Sequence, residues 1–282
     1  MKVITTIQEL REIIEKTNKR QQTIGFVPTM GFLHEGHRAL MKQARKENDI
    51  LVLSIFVNPL QFGPTEDLDR YPRDFERDQK IAETEGVDIL FYPSVAEMYP
   101  NELSVSVVVK KMTDVLCGRT RPGHFDGVAT VLTKLFHLVQ PTKAYFGKKD
   151  AQQLAIVESL VKDFHFPLQI IAVNTIREED GLAKSSRNVY LTDRERVEAP
   201  ELYQSLQMGV EMIQAGETNP HKIISGIKDR IANKTSGEID YVSLLSYPEL
   251  EEFESINGSY IIALAVKFSR ARLIDNIIMN RD

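Results

Sequence analysis

The chain has 282 residues, of which 42% are hydrophobic, 8% aromatic and 27% charged, values that are typical of a globular protein and argue against a disordered one. The 35 Lys and Arg residues against 40 Asp and Glu residues give a net charge of −5. This mild acidity argues against DNA or RNA as the main partner, because phosphate binding favours a basic surface. The single cysteine, Cys117, excludes an intramolecular disulfide framework.

The N-terminal segment predicts an amphipathic helix, because Ile7, Leu10, Ile13 and Ile14 recur on one helical face. It does not have the apolar core of a signal peptide. The long apolar runs have about the length of a strand, whereas a membrane span needs about 20 residues. We therefore expect a cytoplasmic protein that makes no contact with a membrane.

Strand and helix patterns alternate over the first 175 residues. After the first helix we predict strands at 23–27, 50–57, 87–92, 104–109, 144–146 and 168–173, and helices at 34–47, 75–85, 126–139 and 151–162. Such alternation requires right-handed crossovers and predicts an α/β fold with a doubly wound parallel sheet.

The pattern changes after residue 187. Two helices are predicted at 193–215 and 220–234, followed by strands at 239–245, 260–268 and 272–279. This order is typical of a small α+β domain with an antiparallel sheet. We therefore predict a catalytic domain over residues 1–175 and a smaller C-terminal domain over 176–282, joined by a flexible polar stretch.

The segment Pro-Thr-Met-Gly-Phe-Leu-His-Glu-Gly-His at residues 28–37 is the most informative motif, because it follows the first predicted strand and opens a helix. A helix N-terminus offers backbone N–H groups and partial positive charge to an anion. His34 and His37 are three residues apart, so on a helix they share one face and could both donate hydrogen bonds to phosphate oxygens. The competing interpretation is a pair of structural histidines.

Four further segments carry polar groups in places that suit a binding site. Gly147-Lys148-Lys149-Asp150 follows a strand, and the loop 181–187 places two cations around two hydroxyls. The other two segments are 56–63, which contains Asn58 and Gln61, and the glycine-rich basic loop 117–125. His124 in the latter suits either ligand contact or loop packing. The acidic residues that follow Gln61 predict a mostly solvated helical run in which one carboxylate could serve a metal ion; they are Asp67, Asp69, Asp74 and Asp78.

These segments together resemble the pantoate–β-alanine ligase (pantothenate synthetase) family over nearly the whole chain. The block at 28–37 is similar to that family's version of the HIGH motif of Rossmann-like nucleotidyltransferases, and Leu-Ala-Lys-Ser-Ser-Arg-Asn at 182–188 is similar to its KMSKS loop. Three further blocks follow the family's order, at 56–73, 117–132 and 144–154. Lys184 departs from the pattern, since it occupies a position associated with an apolar residue; it could contact phosphate or point to solvent.

The resemblance implies a Rossmann-like catalytic domain with a C-terminal α+β lid. It also implies the reaction of ATP, (R)-pantoate and β-alanine to AMP, diphosphate and pantothenate, through a pantoyl adenylate and with Mg²⁺. A homodimer is a further expectation from the family. The lid would exclude water from the reactive adenylate.

The resemblance also implies roles for individual residues. His37, His34, Lys149 and Arg187 would be catalytic, with His37 as a hydrogen-bond or proton donor to the phosphates. Gln61, Gln153 and Asn58 would bind pantoate and β-alanine, and Asp78 is a candidate metal ligand. ATP would be bound by Met30, Gly31, His34, His37, Gly147, Lys148, Lys149, Asp150, Ile176, Lys184, Ser185, Ser186 and Arg187.

Other functions compete with this assignment. A zinc hydrolase could use His34, Glu35 and His37, although the familiar zinc helix spaces its histidines four residues apart. Another small-molecule nucleotidyltransferase would keep both nucleotide motifs without needing Gln61 and Gln153. An aminoacyl-tRNA synthetase would need a basic tRNA-reading region for which this chain has no room, and a non-catalytic nucleotide-binding module is the remaining alternative.

Overall fold

The computed structural model describes residues 1–64, 66 and 68–280, so that Asp67 lies outside the described residues. By internal contacts the chain divides into two compact units that are not continuous in sequence. The first unit comprises Met1–Lys110, Arg121–Lys148 and Ile156–Asn174; the second comprises Lys111–Thr120, Lys149–Ala155 and the chain from Thr175 onward. The division into domains at 175/176 stays a prediction.

The first unit is built on six parallel strands. They are β1 (Lys2–Ile4), β2 (Ile24–Thr29), β3 (Ile50–Ile55), β4 (Ile89–Phe91), β5 (Lys143–Gly147) and β6 (Gln169–Val173), in the order β1-β4-β3-β2-β5-β6. The predicted parallel sheet is confirmed, and the short edge strand β1 is an addition to it. Central strands are apolar on both faces because helices cover both sides, as the burial of the successive pairs Phe26-Val27 in β2 and Val52-Leu53 in β3 shows.

Seven helices in the described residues precede or follow these strands. They are α1 (Ile7–Lys19), α2 (Glu35–Glu47), α3 (Phe75–Thr84), α4 (Val95–Met98), α5 (Leu116–Thr120), α6 (His124–Val139) and α7 (Ala151–Asp163). A short 3-10 helix at Pro59–Gln61 follows β3. The side chain of Thr6 caps α1 by accepting from the Glu9 N–H, which satisfies one of the backbone donors left unpaired at the start of the helix.

The strand predicted at residues 104–109 was wrong. Its backbone donors are satisfied by helix α6: the Val107 N–H donates to Thr130 Oγ1 at 3.0 Å and the Val109 N–H to Asp126 Oδ1 at 2.8 Å. Val105 and Val108 are exposed, at 83% and 63%, so the apolar run does not pack into the sheet. Side-chain acceptors can therefore replace a strand partner without changing the sequence pattern.

The second unit has the predicted antiparallel sheet, with strands β7 (Glu238–Ser246), β8 (Tyr260–Lys267) and β9 (Arg272–Met279) in that order. Its helices are α8 (Asp193–Glu198), α9 (Glu201–Gln214) and α10 (Pro220–Lys234). The single helix predicted at 193–215 is two helices, because Pro200 has no N–H to continue the ladder. Leu206, Ile227 and Ile262 lie in the core of this unit.

None of the helices in the described part of the chain is long and apolar enough to cross a membrane.

Candidate active site

The loop that joins β2 to α2 is held by a carboxylate from another helix. Gly31 and Phe32 have positive φ angles of +84° and +50°, which turn successive N–H groups inward. The Phe32 N–H donates to Asp78 Oδ2 and the Leu33 N–H to Asp78 Oδ1, both at 2.7 Å. Asp78 lies on α3, so the conformation of this loop depends on a residue 45 positions further along the chain.

Asp78 is therefore not part of a solvated run, and that prediction is corrected: it is only 1% exposed. Burial raises the pKa of Asp78, and the N–H groups of Leu33 and Phe32 oppose the shift without cancelling it. Arg77 contributes a more distant charge, 3.8 Å away. Since both oxygens of Asp78 already accept hydrogen bonds, its contacts make it a support for the loop; its role as a metal ligand stays a prediction.

His34 and His37 cap the N-terminus of α2 reciprocally. His34 is the N-cap and lies just outside the helix; its Nδ1 accepts from the Gly36 N–H at 3.1 Å, and His37 Nδ1 accepts from the His34 N–H at 3.2 Å. The ring centroids are 4.1 Å apart. Because Nδ1 is the acceptor in both rings, each neutral imidazole carries its proton on Nε2. Both rings are thus hydrogen-bond donors through Nε2.

Glycine is required at position 36 for this arrangement. A Cβ there would lie 2.8 Å from His34 Cε1, so any side chain would displace the imidazole. At Gly31 a Cβ would lie 3.0 Å from Asp78 Oδ2. The two glycines thus make room for the side chains of His34 and Asp78, which shape the loop. This role is independent of any contact between the glycine backbone and a ligand.

The loop after β5 lies beside this one. The strand order reverses between β2 and β5, which pair in parallel, and a crevice opens at such a switch point outside the carboxyl ends of the strands. Gly147 ends β5, and Lys148 Nζ donates to Asn174 Oδ1 at 2.9 Å, just after β6. The predicted motifs at 28–37 and 147–148 therefore flank one crevice of the first unit.

Gln61 and Asn58 form a connected pair at the end of β3. Asn58 Nδ2 donates to Gln61 Oε1 at 3.2 Å and to the Gly127 carbonyl at 3.1 Å, while its Oδ1 accepts from Tyr99 Oη at 2.8 Å and from the Leu60 N–H at 3.3 Å. Asn58 is 1% exposed, and all four of its amide hydrogen-bonding positions are used. These contacts make Asn58 a support for Gln61; its direct contact with substrate stays a prediction.

The side chain of Gln61 reaches the first loop. Its Nε2 lies 3.2 Å from Met30 Sδ, which brings a predicted substrate-binding residue next to a predicted ATP-binding residue. A cavity of about 580 Å³ opens at the same edge of the sheet, lined among others by Met30, Phe32 and Phe56. Its volume is in the range of small-molecule sites.

In the second unit, Lys149, Asp150 and Gln153 surround the start of α7. Gln152, which follows Asp150 closely, is buried: its Nε2 donates to the carbonyls of Met112 and Val115 at 2.6 and 2.9 Å. Gln153 is half-buried beside it. The carbonyl of Lys149 accepts from Asn276 Nδ2 at 2.8 Å, which ties this segment to β9.

The stretch predicted as a flexible linker is instead a hydrogen-bonded hairpin, because the Lys184 N–H donates to the Ile176 carbonyl and the Glu178 N–H to the Leu182 carbonyl. Gly181 makes the turn with φ +94°.

Arg177 anchors this hairpin to the rest of the second unit. It donates to both oxygens of Asp275, at 2.6 and 3.0 Å, and lies 3.6 Å from the centroid of the Tyr203 ring. Asp275 is 4% exposed. This buried ion pair explains how a polar segment is ordered.

The KSSR residues follow directly. Lys184 Nζ lies 2.7 Å from Glu178 Oε2, so it does not simply point to solvent. Ser185 accepts from the Arg187 N–H at 3.3 Å and caps a 3-10 helix at Ser186–Tyr190. Their contact with phosphate stays a prediction, as does the contact of Ile176 with adenine.

The described residues contain no group of three or more His, Cys, Asp and Glu side chains placed to hold a metal ion. His34 and His37 also use Nδ1 for backbone hydrogen bonds. Neither observation favours the zinc hydrolase.

A doubly wound parallel sheet with a glycine-containing loop and a helix start at its switch point is typical of α/β enzymes that bind nucleotides. The family model described as pantoate-beta-alanine ligase matches residues 2–278. The chain belongs to this family, and the predicted family and the acid–amine ligase class are confirmed.

Named relatives and solved structures support the same family assignment. A pantothenate synthetase of Geobacillus sp. (strain WCH70) is 61% identical, with 99% of each chain covered, and that of Bacillus subtilis (strain 168) is 60% identical, with 99% of this chain and 98% of the relative covered. The crystal structure of pantothenate synthetase from Thermus thermophilus has a TM-score of 0.93 at 44% identity, covering 98% of this chain and 99% of that one. The Francisella tularensis ligase, solved with βγ-ATP and β-alanine, has a TM-score of 0.81 at 34% identity, covering 99% and 97%.

Proposed function

We propose that the chain condenses (R)-pantoate with β-alanine to pantothenate, using ATP and releasing AMP and diphosphate through a pantoyl adenylate. The observation that carries the proposal is the reciprocal histidine cap. It fixes both imidazoles as Nε2–H tautomers beside a helix N-terminus at the switch point of the sheet, in a chain of this ligase family.

In the first half-reaction a carboxylate oxygen of pantoate attacks the α-phosphorus of ATP, and the bond from that phosphorus to the diphosphate oxygen breaks. Negative charge builds up on the phosphate oxygens in the transition state. His37, assisted by His34, donates from Nε2 to these oxygens, and the N-terminus of α2 adds partial positive charge. The ring proton is already in place because Nδ1 is occupied.

In the second half-reaction the amine of β-alanine attacks the acyl carbonyl, and the bond between the acyl carbon and the phosphate oxygen breaks to release AMP. Gln61 offers an amide donor and an acceptor to pantoate and β-alanine, and Gln153 to pantoate. The β-alanine complex of the Francisella ligase supports this substrate class. Lys149 and Lys184–Arg187 neutralise the triphosphate in this proposal, which for these residues rests on the family resemblance.

Mg²⁺ would enter with ATP. The described residues offer no group of three or more His, Cys, Asp and Glu side chains that could hold a metal ion, and the oxygens of Asp78 already accept two N–H groups, so the donor set does not form a protein cage for the ion. We therefore assign no step to the metal. A homodimer and a cytoplasmic location are further proposals from the family and the sequence.

The test is release of AMP and diphosphate from ATP, pantoate and Mg²⁺, with and without β-alanine. We expect AMP formation to depend on β-alanine and pantothenate to appear by mass spectrometry. A single-turnover burst of diphosphate with pantoate alone would support the adenylate. If no AMP forms under any of these conditions, the proposal fails and other acceptors for nucleotidyl transfer should be tried.

A further inference from the structure

The carbonyl of Gln61 is held by a cluster of three side chains, Glu66, Arg121 and His124. Arg121 Nε donates to Glu66 Oε1 at 2.7 Å, and its Nη2 donates to Glu66 Oε2 and, at 3.3 Å, to the Gln61 carbonyl. His124 Nδ1 lies 2.8 Å from the same carbonyl, and Arg121 Nη1 lies 3.0 Å from His124 Nε2. All of these residues belong to the first unit.

The contacts define the tautomer of His124. A guanidinium nitrogen can only donate, so Nε2 of His124 must accept from Arg121 Nη1. The ring is therefore neutral, with its proton on Nδ1, and it donates that proton to the carbonyl of Gln61. Glu66 balances the charge of Arg121, and the guanidinium holds the pKa of Glu66 below its ordinary value even though burial opposes the shift.

The segment that contains Gln61 depends on this cluster because it is very short. Pro59–Gln61 is a single 3-10 turn that packs against α6 at Gly127, where a Cβ would clash with the Leu60 carbonyl. Two donors hold the carbonyl of Gln61, while Asn58 holds its side chain from the other end. The direction of the Gln61 amide is thus set from both ends.

We propose that His124, supported by Arg121 and Glu66, is a positioning residue for the binding of pantoate and β-alanine. It acts through Gln61 and does not touch the substrates itself. This inference rests on the proposed function, in which Gln61 binds both substrates.

The test compares three substitutions of one side chain. In His124→Asn the amide nitrogen takes the place of Nδ1 and keeps the donor to Gln61. In His124→Gln the amide takes the place of Nε2 and keeps only the side toward Arg121. We expect His124→Ala and His124→Gln to raise the KM for pantoate and β-alanine about tenfold, the effect of about one hydrogen bond. The KM for ATP and kcat should change less than about threefold, and His124→Asn should restore a KM close to that of the wild type.

His137→Ala is the matched control, because His137 is exposed on the same helix α6. If the asparagine and glutamine variants bind the substrates equally well, or if the alanine variant folds and keeps the wild-type KM, the inference is overturned. Should the alanine variant fail to fold, the asparagine–glutamine pair decides. A wild-type protein that makes no pantothenate would instead overturn the proposed function.

Discussion

The loops at 30–34 and 176–187 are anchored by buried groups of opposite charge. The first loop in the first unit turns its N–H groups toward the carboxylate of Asp78, while the hairpin of the second unit is held by the guanidinium of Arg177. A carboxylate is a suitable acceptor for N–H groups that have no backbone partner. Beside a loop proposed to bind a triphosphate, however, its negative charge is unfavourable. The N–H groups of Phe32 and Leu33 partly offset that charge, while burial raises the pKa of Asp78. The cation under the hairpin is neutralised by Asp275, so the pair presents no negative charge to a bound phosphate.

The charges of Arg177 and Asp78 also differ in how completely their partners neutralise them. Arg177 has a carboxylate partner and an aromatic face, so its charge is compensated where it is buried. Asp78 relies mainly on two backbone dipoles, with Arg77 further away. The comparison indicates that the second-unit anchor contributes chiefly to stability, whereas the first-unit anchor serves the shape of a binding loop.

Arg177→Ala should have the largest effect, because it leaves Asp275 buried without its partner. We expect the free energy of unfolding to fall by about 3–5 kcal/mol. Arg177→Lys keeps the charge but not the forked pair, and should cost less. Urea unfolding would measure both.

The control for that experiment is Arg196→Ala. The pair of Arg196 with Asp180 belongs to the same region, but its side chains are 38% and 40% exposed, so its removal should cost less than about 1 kcal/mol. If both alanine variants lost the same free energy of unfolding, burial of the Arg177–Asp275 pair would add nothing to its contribution to stability.

His37→Ala tests whether the first loop is catalytic as well as structural. We expect kcat to fall about 10²–10³-fold, or about 3–4 kcal/mol, because a donor to the transition-state phosphate is lost. ATP binding, measured by calorimetry, should weaken less than about threefold. Combination with His34→Ala should reduce turnover further. Turnover within threefold of the wild type would identify the histidines as structural caps only.

Glu195 is also a buried carboxylate, but its pKa is lowered, whereas that of Asp78 is raised. Hydrogen bonds from the backbone N–H groups of Thr192 and Ser269 hold the pKa of Glu195 at about 2, below its ordinary 4.5. This shift corresponds to about 3 kcal/mol. Because the pKa is lowered in the folded state, that stability is present above about pH 4.5 and is lost as the pH falls toward 2. Glu195→Gln should therefore destabilise the protein by about 2–3 kcal/mol at pH 7.

The measurement is the difference in free energy of unfolding between wild type and Glu195→Gln as a function of pH. It should shrink steadily between pH 4.5 and 2. A difference that stays constant over this range would mean that the charge of Glu195 is unimportant.

Asp78→Asn should have the smallest effect of the four. The amide keeps one acceptor oxygen, so one of the N–H groups of Phe32 and Leu33 loses its partner, at a cost of about 1–2 kcal/mol. We expect ATP affinity to fall about tenfold with the loss of loop order. Glu76→Gln, an exposed change on the same helix α3, is the control. An unchanged ATP affinity in Asp78→Asn would show that the loop does not need its anchor.

Local patterns were sufficient for most of the fold. The helix at Pro220–Lys234 and the strand at Arg272–Met279 have the predicted bounds, since hydrophobic period and capping residues are properties of neighbouring positions. Residues 104–109 were misassigned because their hydrogen-bond partners lie on α6. The strand order, with β1 beside β4, is likewise a long-range property.

The same distinction applies to the candidate site. The HxGH spacing and the loop glycines were visible in the sequence, whereas the supports were not. Asp78 looked like one acid among several, and nothing near His124 in the sequence points to Gln61, 63 residues away. Arg177 gave no signal either, because Asp275 is 98 residues away. Residue type and spacing thus indicated candidate ligand-binding groups, whereas the residues that hold those groups in place emerged only from the packing of the fold.

The dependence of the first loop on Asp78 limits how this motif can be transplanted. A designer who moves residues 28–37 onto another parallel sheet carries the glycines and both histidines, and with them the cap of the helix. The acceptors for Phe32 and Leu33 remain behind on α3. A working graft would therefore need a crossover helix that returns a carboxylate to the underside of the loop.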